Sequence, residues 1–379
     1  MATTQQSINS LYLGIELSAR RWKLAFGNGA KIRFRNVDLS SPRAFEEVEK
    51  EVALAKAKLG LDPDCEVRSC YEAGRDGFWI HRYLKSIGIR NVVVDASSIE
   101  VNRRARRAKT DLIDARKLVE MLIRYCEYGE KKIWKPVNVP SRTADDQRQP
   151  CRERKRLIGE RTALTNRMKS AFVRHGAWVE DSLVRLDLDA VRDWNGDPLP
   201  AELCAQLKRD QERLHLISSQ LKFIEQQRRE RVANPDSKLY EQAAQLLKLK
   251  GVGAVSSCLL ASELFAWRNF RNRRQVGGCV GLTGSPYDSG KSRREQGISK
   301  AGNAMVRTSC VELAWCWIRY QPGSKITQWF VDYVGKGDGG KGTRRLRRVA
   351  IVAVARKLLV ALWKYLDRGE VPEGAVFSV

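Results

Sequence analysis

The chain has 379 residues, 43% hydrophobic and 30% charged, which suits two or three packed domains and excludes a disordered chain. Lys and Arg number 69 against 44 Asp and Glu, a formal charge of +25 that points to a polyanionic partner. The basic residues do not share one amphipathic helix and no apolar run reaches membrane-spanning length, so nucleic acid is expected and a membrane partner is not.

The opening "MATTQQSINSLYLGIELS" lacks a charged start, an apolar core and a small-residue cleavage site, and is not expected to act as a signal peptide. Nine cysteines include no C-x-x-C pair, and the three histidines (His81, His175, His215) lie beside no cysteine cluster. That pattern argues against zinc and fits reduced thiols in a cytoplasm.

Residues 11 to 95 read as alternating strands and helices. "LYLGIEL", "RWKLAFG" and "KIRFRNVDL" are three strand-like runs, and Asn28-Gly29 between the last two predicts a hairpin. A helix follows in "SPRAFEEVEKEVALAKAKLG", with Ser41 as N-cap, Pro42 at its first position and Gly60 as its stop. Then come strand "EVRSCYEAG", helix "DGFWIHRYLKSIG", strand "NVVVDAS" and a helix around 111 to 125. Three strands, helix, strand, helix, strand, helix is the ribonuclease-H-like plan, here assigned to residues 1–143.

Residues 144–234 are long, charged and helix-prone. Leu157, Leu164, Met168, Ala171 and Phe172 form a stripe close to helical period, which predicts an antiparallel helical coiled-coil arm. Pro150 either starts the first of its helices or kinks it. Residues 235–379 read as mostly helical with glycine-rich interruptions. "AQLLKLKGVGAVSSCLLASEL" is a helix-hairpin-helix-like element whose Gly251 and Gly253 would let a DNA phosphate approach the backbone, although many buried helix pairs carry such a turn. "GKGDGGKGTRRLRRVAIVAVARKLLVALWKYLDRG" reads as a basic loop feeding an apolar helix.

The residues that carry chemistry are carboxylates at element ends. Glu16 closes the first strand and Glu72 the fourth, where ligand sites of open α/β sheets collect. Asp111 and Asp114 sit one helical turn apart and share a face. Four acids from three places are a donor set for Mg2+ or Mn2+, and without a cation they would repel one another. A bland reading competes, with Asp111 capping its helix and Asp114 facing water. Asp38 and Asp95 also end strands and are rival ligands, whereas Glu66 stands at a strand start.

Basic strips flank these acids. Arg103, Arg104, Arg106, Arg107 and Lys109 lie just upstream of the Asp pair; further strips run from Arg152 to Lys169 and through Arg344, Arg345, Arg347 and Arg348. They are expected to hold nucleic-acid phosphates, with part of each strip merely solvated. No segment reads as a zinc finger or a major-groove recognition helix.

The stretches "LGIELSARRWKLAF", "CYEAG" and "AKTDLIDARKL" resemble the RuvC-like DEDD domain of the IS110 insertion-sequence transposases, including the IS1111 branch. "LKGVGAVSSCLLASELFAWRNFRNRRQVGGCVGLTGSPYDSGKSRREQGISKAGNAMVRTSCVELAW" resembles that family's second domain. The resemblance implies a bacterial, nucleoid-associated recombinase, a homo-oligomer guided by a noncoding RNA that pairs with donor and target DNA. It implies metal ligation by Glu16, Glu72, Asp111 and Asp114 and attack on the DNA backbone by Ser289. Glu16 departs from the Asp common at its position, and Gly284 stands where proline is expected.

Ser289 beside Gly290 is approachable, and Lys291, Arg293, Arg294 and Lys300 can neutralise phosphate oxygens in a loop leading to a helix opened by "ISKAGNAMVR". Ser-Gly is also a common turn, and Ser285, Ser292 and Ser299 are alternative nucleophiles. Two other functions fit: a protein-only RuvC-like transposase or junction-resolving nuclease using metal-activated water, and a non-catalytic nucleic-acid-binding scaffold.

Overall fold

A computed structural model describes residues 9–75, 77–100, 110–180, 182–289, 292–335 and 341–378. The chain divides into two compact units, Met1–Pro140 and Ser141–Val379.

In the first unit the three predicted strands are β1 (Ser10–Glu16), β2 (Arg21–Gly27) and β3 (Ile32–Asp38). The β2–β3 hairpin forms as expected. The Asn28 side chain accepts hydrogen bonds from the Ala30 and Lys31 amides, while Gly29 takes a left-handed φ of 90° that a side chain would resist. Helix α1 (Ala44–Lys58) begins later than the sequence suggested; Ser41 accepts from the Arg43 amide within a turn before the helix, and Gly60 ends it at φ +66°. Strand β4 (Glu66–Glu72), helix α2 (Trp79–Ser86), strand β5 (Arg90–Val94) and helix α3 (Asp111–Glu127) follow in the predicted order.

The sheet order is β3-β2-β1-β4-β5, with β2 antiparallel to both its neighbours and β1, β4 and β5 mutually parallel. This mixed sheet separates two apolar layers. Strand alternation sends Leu11, Leu13 and Ile15 to the face covered by Val48, Val52, Ile80 and Leu84 of α1 and α2. Tyr12, Ala25 and Cys70 point to the opposite face, packed on Ala115, Leu118, Val119 and Leu122 of α3.

Helix α3 lies unusually close to β1. A methyl group at Gly14 would stand 2.8 Å from both the Ala115 carbonyl oxygen and the Val119 amide nitrogen, so only glycine admits the helix backbone here. Farther along, the Tyr12 hydroxyl donates to Glu127 near the C-terminus of α3. Gly14 thus meets the first half of α3 and Tyr12 its end, which fixes α3 antiparallel to β1. Its N-terminus therefore projects beyond the C-terminal edge of the sheet.

The second unit begins with α4 (Arg142–Asp146), α5 (Gln149–Arg174) and α6 (Ala201–Ala233). Pro150 sits at the start of α5, where its missing N–H costs nothing, and does not kink it. All five residues of the predicted stripe are buried. Met168 and Phe172 pack near Leu207, and Leu157 packs near Leu221 and Ile224, so α5 and α6 run antiparallel as expected. Arg154–Glu225 and Arg167–Asp210 ion pairs keep the same register.

Around Trp317, Leu358 and Leu362, a second core gathers α7 (Lys238–Leu247), α8 (Ala254–Leu260), α9 (Arg273–Cys279), α10 (Ala304–Tyr320), α11 (Lys325–Gly335) and α12 (Lys341–Arg368). The helix–glycine turn–helix is present as α7 and α8. Two corrections apply to this region. "GSPYDSGKSRREQGI" is not a loop but carries two strands, β6 (Gly284–Ser289) and β7 (Ser292–Ile298), paired antiparallel. The helix expected from "ISKAGN" starts only at Ala304, where Asn303 caps it by accepting from the Met305 and Val306 amides.

Candidate active site and nucleic-acid interface

The acids of the first unit are positioned by backbone rather than by contacts among themselves. Ile15 of β1 pairs with Tyr71 of β4 in parallel register, so the next residues, Glu16 and Glu72, end neighbouring strands roughly 4.8 Å apart at the spacing of a sheet. Both have the parity of Tyr12 and Cys70, and hence face the α3 side. Cys70 Sγ lies 3.4 Å from the Leu118 carbonyl, two residues short of Glu72. Gly14 contacts Ala115 two residues short of Glu16. The first turn of α3, with Asp111 and Asp114, thus overhangs the edge where both glutamates stand.

Thr110, not Asp111, caps α3: its Oγ1 accepts from the Ile113 amide at 3.3 Å. Asp111 is exposed and Asp114 half-buried, which leaves both carboxylates available to other partners. The rivals are committed elsewhere. Asp95 accepts from the Ser97 amide and hydroxyl at 3.0 and 2.9 Å. Asp38 accepts from the Ser40 hydroxyl and amide, and these hydrogen bonds hold its carboxyl below the usual range. Glu66 is paired with Arg68 and Arg90.

Four carboxylates suit a hard divalent cation by donor type. Among the described residues, however, no three His, Cys, Asp or Glu side chains close around a common point fit for a metal. The fit is therefore one of chemistry and backbone placement, and the side chains would have to turn inward to complete it. The basic strip Arg103, Arg104, Arg106, Arg107 and Lys109 lies outside the described residues.

In the second unit Ser289 ends β6, opposite Ser292, with Asp288 opposite Arg293 and Tyr287 opposite Arg294. Gly290 and Lys291, which join the strands, lie outside the described residues. At the other end the hairpin is clamped by two left-handed glycines. A methyl group at Gly281 would stand 2.1 Å from the Ala301 carbonyl, and one at Gly302 would stand 2.2 Å from the Cys279 carbonyl. Between them Lys300 adopts φ 57°, the one non-glycine residue with positive φ among the described residues, a conformation that costs about 1–2 kcal/mol. The Ser299 amide donates to the Thr283 carbonyl at 2.8 Å, so Ser299 belongs to this neck rather than to the tip.

The remaining predicted contacts divide by environment. Gly251 takes φ +87° and its α-carbon faces Tyr320, where a methyl would stand 3.1 Å from Cβ, so its lack of a side chain serves packing. Gly253 opens on free space. Arg344, Arg345, Arg347 and Arg348 lie in the first turns of α12, and Arg347 lies over the Trp315 ring at 5.9 Å.

Sequence reading missed a buried ionic hub. Glu263, 1% exposed, lies in a π-helical turn (Ala261–Phe265) continuing α8. It accepts from Arg148 at 2.9 Å, Arg152 at 2.9 Å and Asn303 at 3.0 Å. Burial alone would raise its pKa, but the hydrogen bonds and charges of Arg152 and Arg148 outweigh that and hold it below the usual value. The hub ties the base of α5 to the cap of α10, and so to the neck of the Ser289 hairpin. Charged residues in "ASELF" and "RQPCRERKR" were the available signal, but nothing local pairs them.

Residues 243–327 match the family model described as Transposase IS116/IS110/IS902 family. The chain is also 39% identical to the putative transposase y4rJ of Sinorhizobium fredii (strain NBRC 101917 / NGR234), over 98% of this chain and 95% of that protein. The chain belongs to the IS116/IS110/IS902 family of transposases. It is similar at 26% identity to the transposase for insertion sequence element IS1328 of Yersinia enterocolitica, over 69% of this chain and 73% of that one. A probable family 20 transposase of Pseudomonas aeruginosa is also 26% identical, over 64% of this chain and 70% of its own. Within this transposase the family match spans Glu263, the whole β6–β7 hairpin with Ser289, and the clamp around Lys300. Among its described residues, no helix is long and apolar enough to cross a membrane.

Proposed function

We propose that this transposase cuts and rejoins DNA with Ser289 as its nucleophile and Glu16, Glu72, Asp111 and Asp114 as ligands for Mg2+ or Mn2+, on a RuvC-like first domain, with donor and target DNA chosen by a bound guide RNA. The observation that carries the catalytic part is the overhang of the Asp111–Asp114 turn above the adjacent ends of β1 and β4. The strand order, three antiparallel strands extended by two parallel ones, supports the RuvC-like reading. A divalent cation on these carboxylates would lower the pKa of an attacking group and offset charge on the phosphate.

The chain's own residues then have defined tasks. The Ser289 hydroxyl attacks a phosphodiester phosphorus and loses its proton; the serine–phosphate bond forms as the bond to one deoxyribose oxygen breaks, and that oxygen is protonated on leaving. Rejoining reverses the exchange with a different DNA end, so no external energy source is needed. Arg293, Arg294 and Lys300 neutralise the phosphate oxygens. Guide-RNA recognition is supported by the +25 charge and by the family resemblance, and would leave base reading to pairing rather than to side chains.

Strand cleavage and transfer by the complete protein, purified with its co-purifying RNA, tests this reading. Ser289→Ala is expected to stop covalent capture of DNA, and Asp111→Ala to stop cleavage. Full activity of Ser289→Ala would favour attack by water, and full activity of both variants would leave a binding scaffold. Co-purifying RNA that is random cellular sequence would remove the guide.

A further inference from the structure

The second unit contains a cavity of about 1360 Å3, larger than the roughly 300–1,000 Å3 typical of small-molecule sites. One wall is α12. Leu358 and Leu362 of that helix enter the core, while Val349, 52% exposed, and the partly buried Val352 and Val360 line the cavity. Arg348, Arg356, Lys357 and Lys364 of the same helix share that wall with them.

Arg273, Arg274, Lys300, Arg348 and Arg356 also line the cavity and, among the described residues, make no ion pair; the acids in its lining are Asp332 and Glu373, and Glu373 is taken by Lys325 at 2.9 Å. Arg356 lies against Gly277, its Nε 3.4 Å from where a methyl there would be. On α11, Trp329 is stacked on Tyr333 at 5.2 Å, and the Lys357 ammonium lies 4.5 Å from the Trp329 ring centre. Apolar floor, aromatic ring and unpaired cations are the ingredients of a single-stranded nucleic-acid site. Duplex phosphates would gain nothing from the valines, and a second copy of this chain, itself at +25, would leave the cations unneutralised.

We propose that this groove binds single-stranded DNA, with phosphates on the five cations and one unstacked base against Trp329. Resting on the serine reading above, the DNA is the segment beside the phosphate that Ser289 attacks. Gly284 at the hairpin base lines the groove, and Ser289 lies five residues along β6. That is roughly 17 Å of strand, about five nucleotides at the 3.4 Å rise of stacked bases. Base stacking is worth about 1–3 kcal/mol against about 0.5–1 for an exposed cation over a ring, so an incoming base displaces Lys357 from Trp329 and frees it for a phosphate.

The test is fluorescence anisotropy of the full chain with labelled 20-nucleotide single-stranded DNA, RNA of the same sequence and the DNA duplex, beside photocrosslinking of 5-iododeoxyuridine DNA. Trp329→Ala is expected to weaken single-stranded DNA binding between about fivefold and 150-fold, the range for one stacked base, with less effect on duplex. Arg356→Glu is expected to weaken it and to flatten its salt dependence. Crosslinks should fall in 325–335 or 348–364.

Wild-type DNA affinity in both variants, crosslinks only elsewhere, a larger loss of RNA than of DNA binding in Trp329→Ala, or a change of oligomeric state without a change of affinity would each overturn the proposal. If Ser289→Ala remains active while Trp329→Ala loses DNA, the serine chemistry fails and the groove stands.

Discussion

Replacing Gly14 with alanine tests whether α3 docking sets the geometry of the acids. The added methyl would lie 2.8 Å from two α3 backbone atoms and 3.0 Å from Leu118 Cβ, where ordinary contact begins at about 3.4 Å. Backbone atoms cannot turn aside as a flexible side chain can, so the helix must retreat from β1 by about 0.6 Å. Asp111 and Asp114 move with it, while Glu16 and Glu72 stay with the strands. A misplacement of about 1 Å can cost on the order of 100-fold in rate, so a retreat of this size predicts a loss of about tenfold.

Overpacking of this kind costs about 1–3 kcal/mol, too little to unfold a domain stabilised by about 5–15 kcal/mol. The assay is single-turnover DNA cleavage across a Mg2+ titration, with thermal unfolding in parallel. The expected signature is a lower rate, a higher metal requirement and a modest fall in Tm. Wild-type rate and metal dependence, in a protein shown to be destabilised, would refute the claim that α3 docking positions the carboxylates.

Four other outcomes follow from single residues. Thr110→Ala removes the α3 cap and is expected to cost about 0.5–2 kcal/mol in a denaturant titration, whereas Asp111→Asn keeps the cap and should unfold close to the wild-type midpoint while losing cleavage. Glu263→Gln removes the fully buried counter-charge of Arg148 and leaves it only Asp145 at 3.4 Å, and is expected to destabilise the second unit by up to about 3–5 kcal/mol, measured by chemical denaturation. Because Glu263 has a folded-state pKa lowered from 4.5, its stabilising contribution is complete above pH 4.5 and lost as the pH falls through the lowered value. Glu263→Gln should therefore flatten the acid limb of the stability curve, read as the unfolding midpoint from pH 6 downward.

The first unit was legible because its signals are local. Strand alternation, the Asn28-Gly29 turn and the Gly60 stop each lie within a few residues of what they specify, and the order of elements followed from them. Its errors were local too. Ser41 and Pro42 read as the start of α1, yet Ser41 accepts from the Arg43 amide within a turn and the helix opens only at Ala44. In the second unit, Pro286 and a run of charges masked strands β6 and β7, although the two-residue Gly290-Lys291 separation between Ser289 and Ser292 was a hairpin signal. The Glu263 hub joins residues 115 apart in sequence, and no period or motif announces such a pairing.

The same distinction explains why a charge of +25 named the class of partner without locating the surface that would hold it. Sequence draws the eye to runs such as Arg344–Arg348, yet that run follows the turns of α12, so its members point in different directions around the helix: Arg348 lines the groove, while Arg347 lies over Trp315. The groove's other cations come singly or in a pair, from the start of α9, from the clamped Lys300 and from the middle of α12. Each is unremarkable in its own segment. What makes them a site is convergence on apolar surface that a basic run on a solvated helix lacks, and that surface is supplied by valines which, read along α12, look like core.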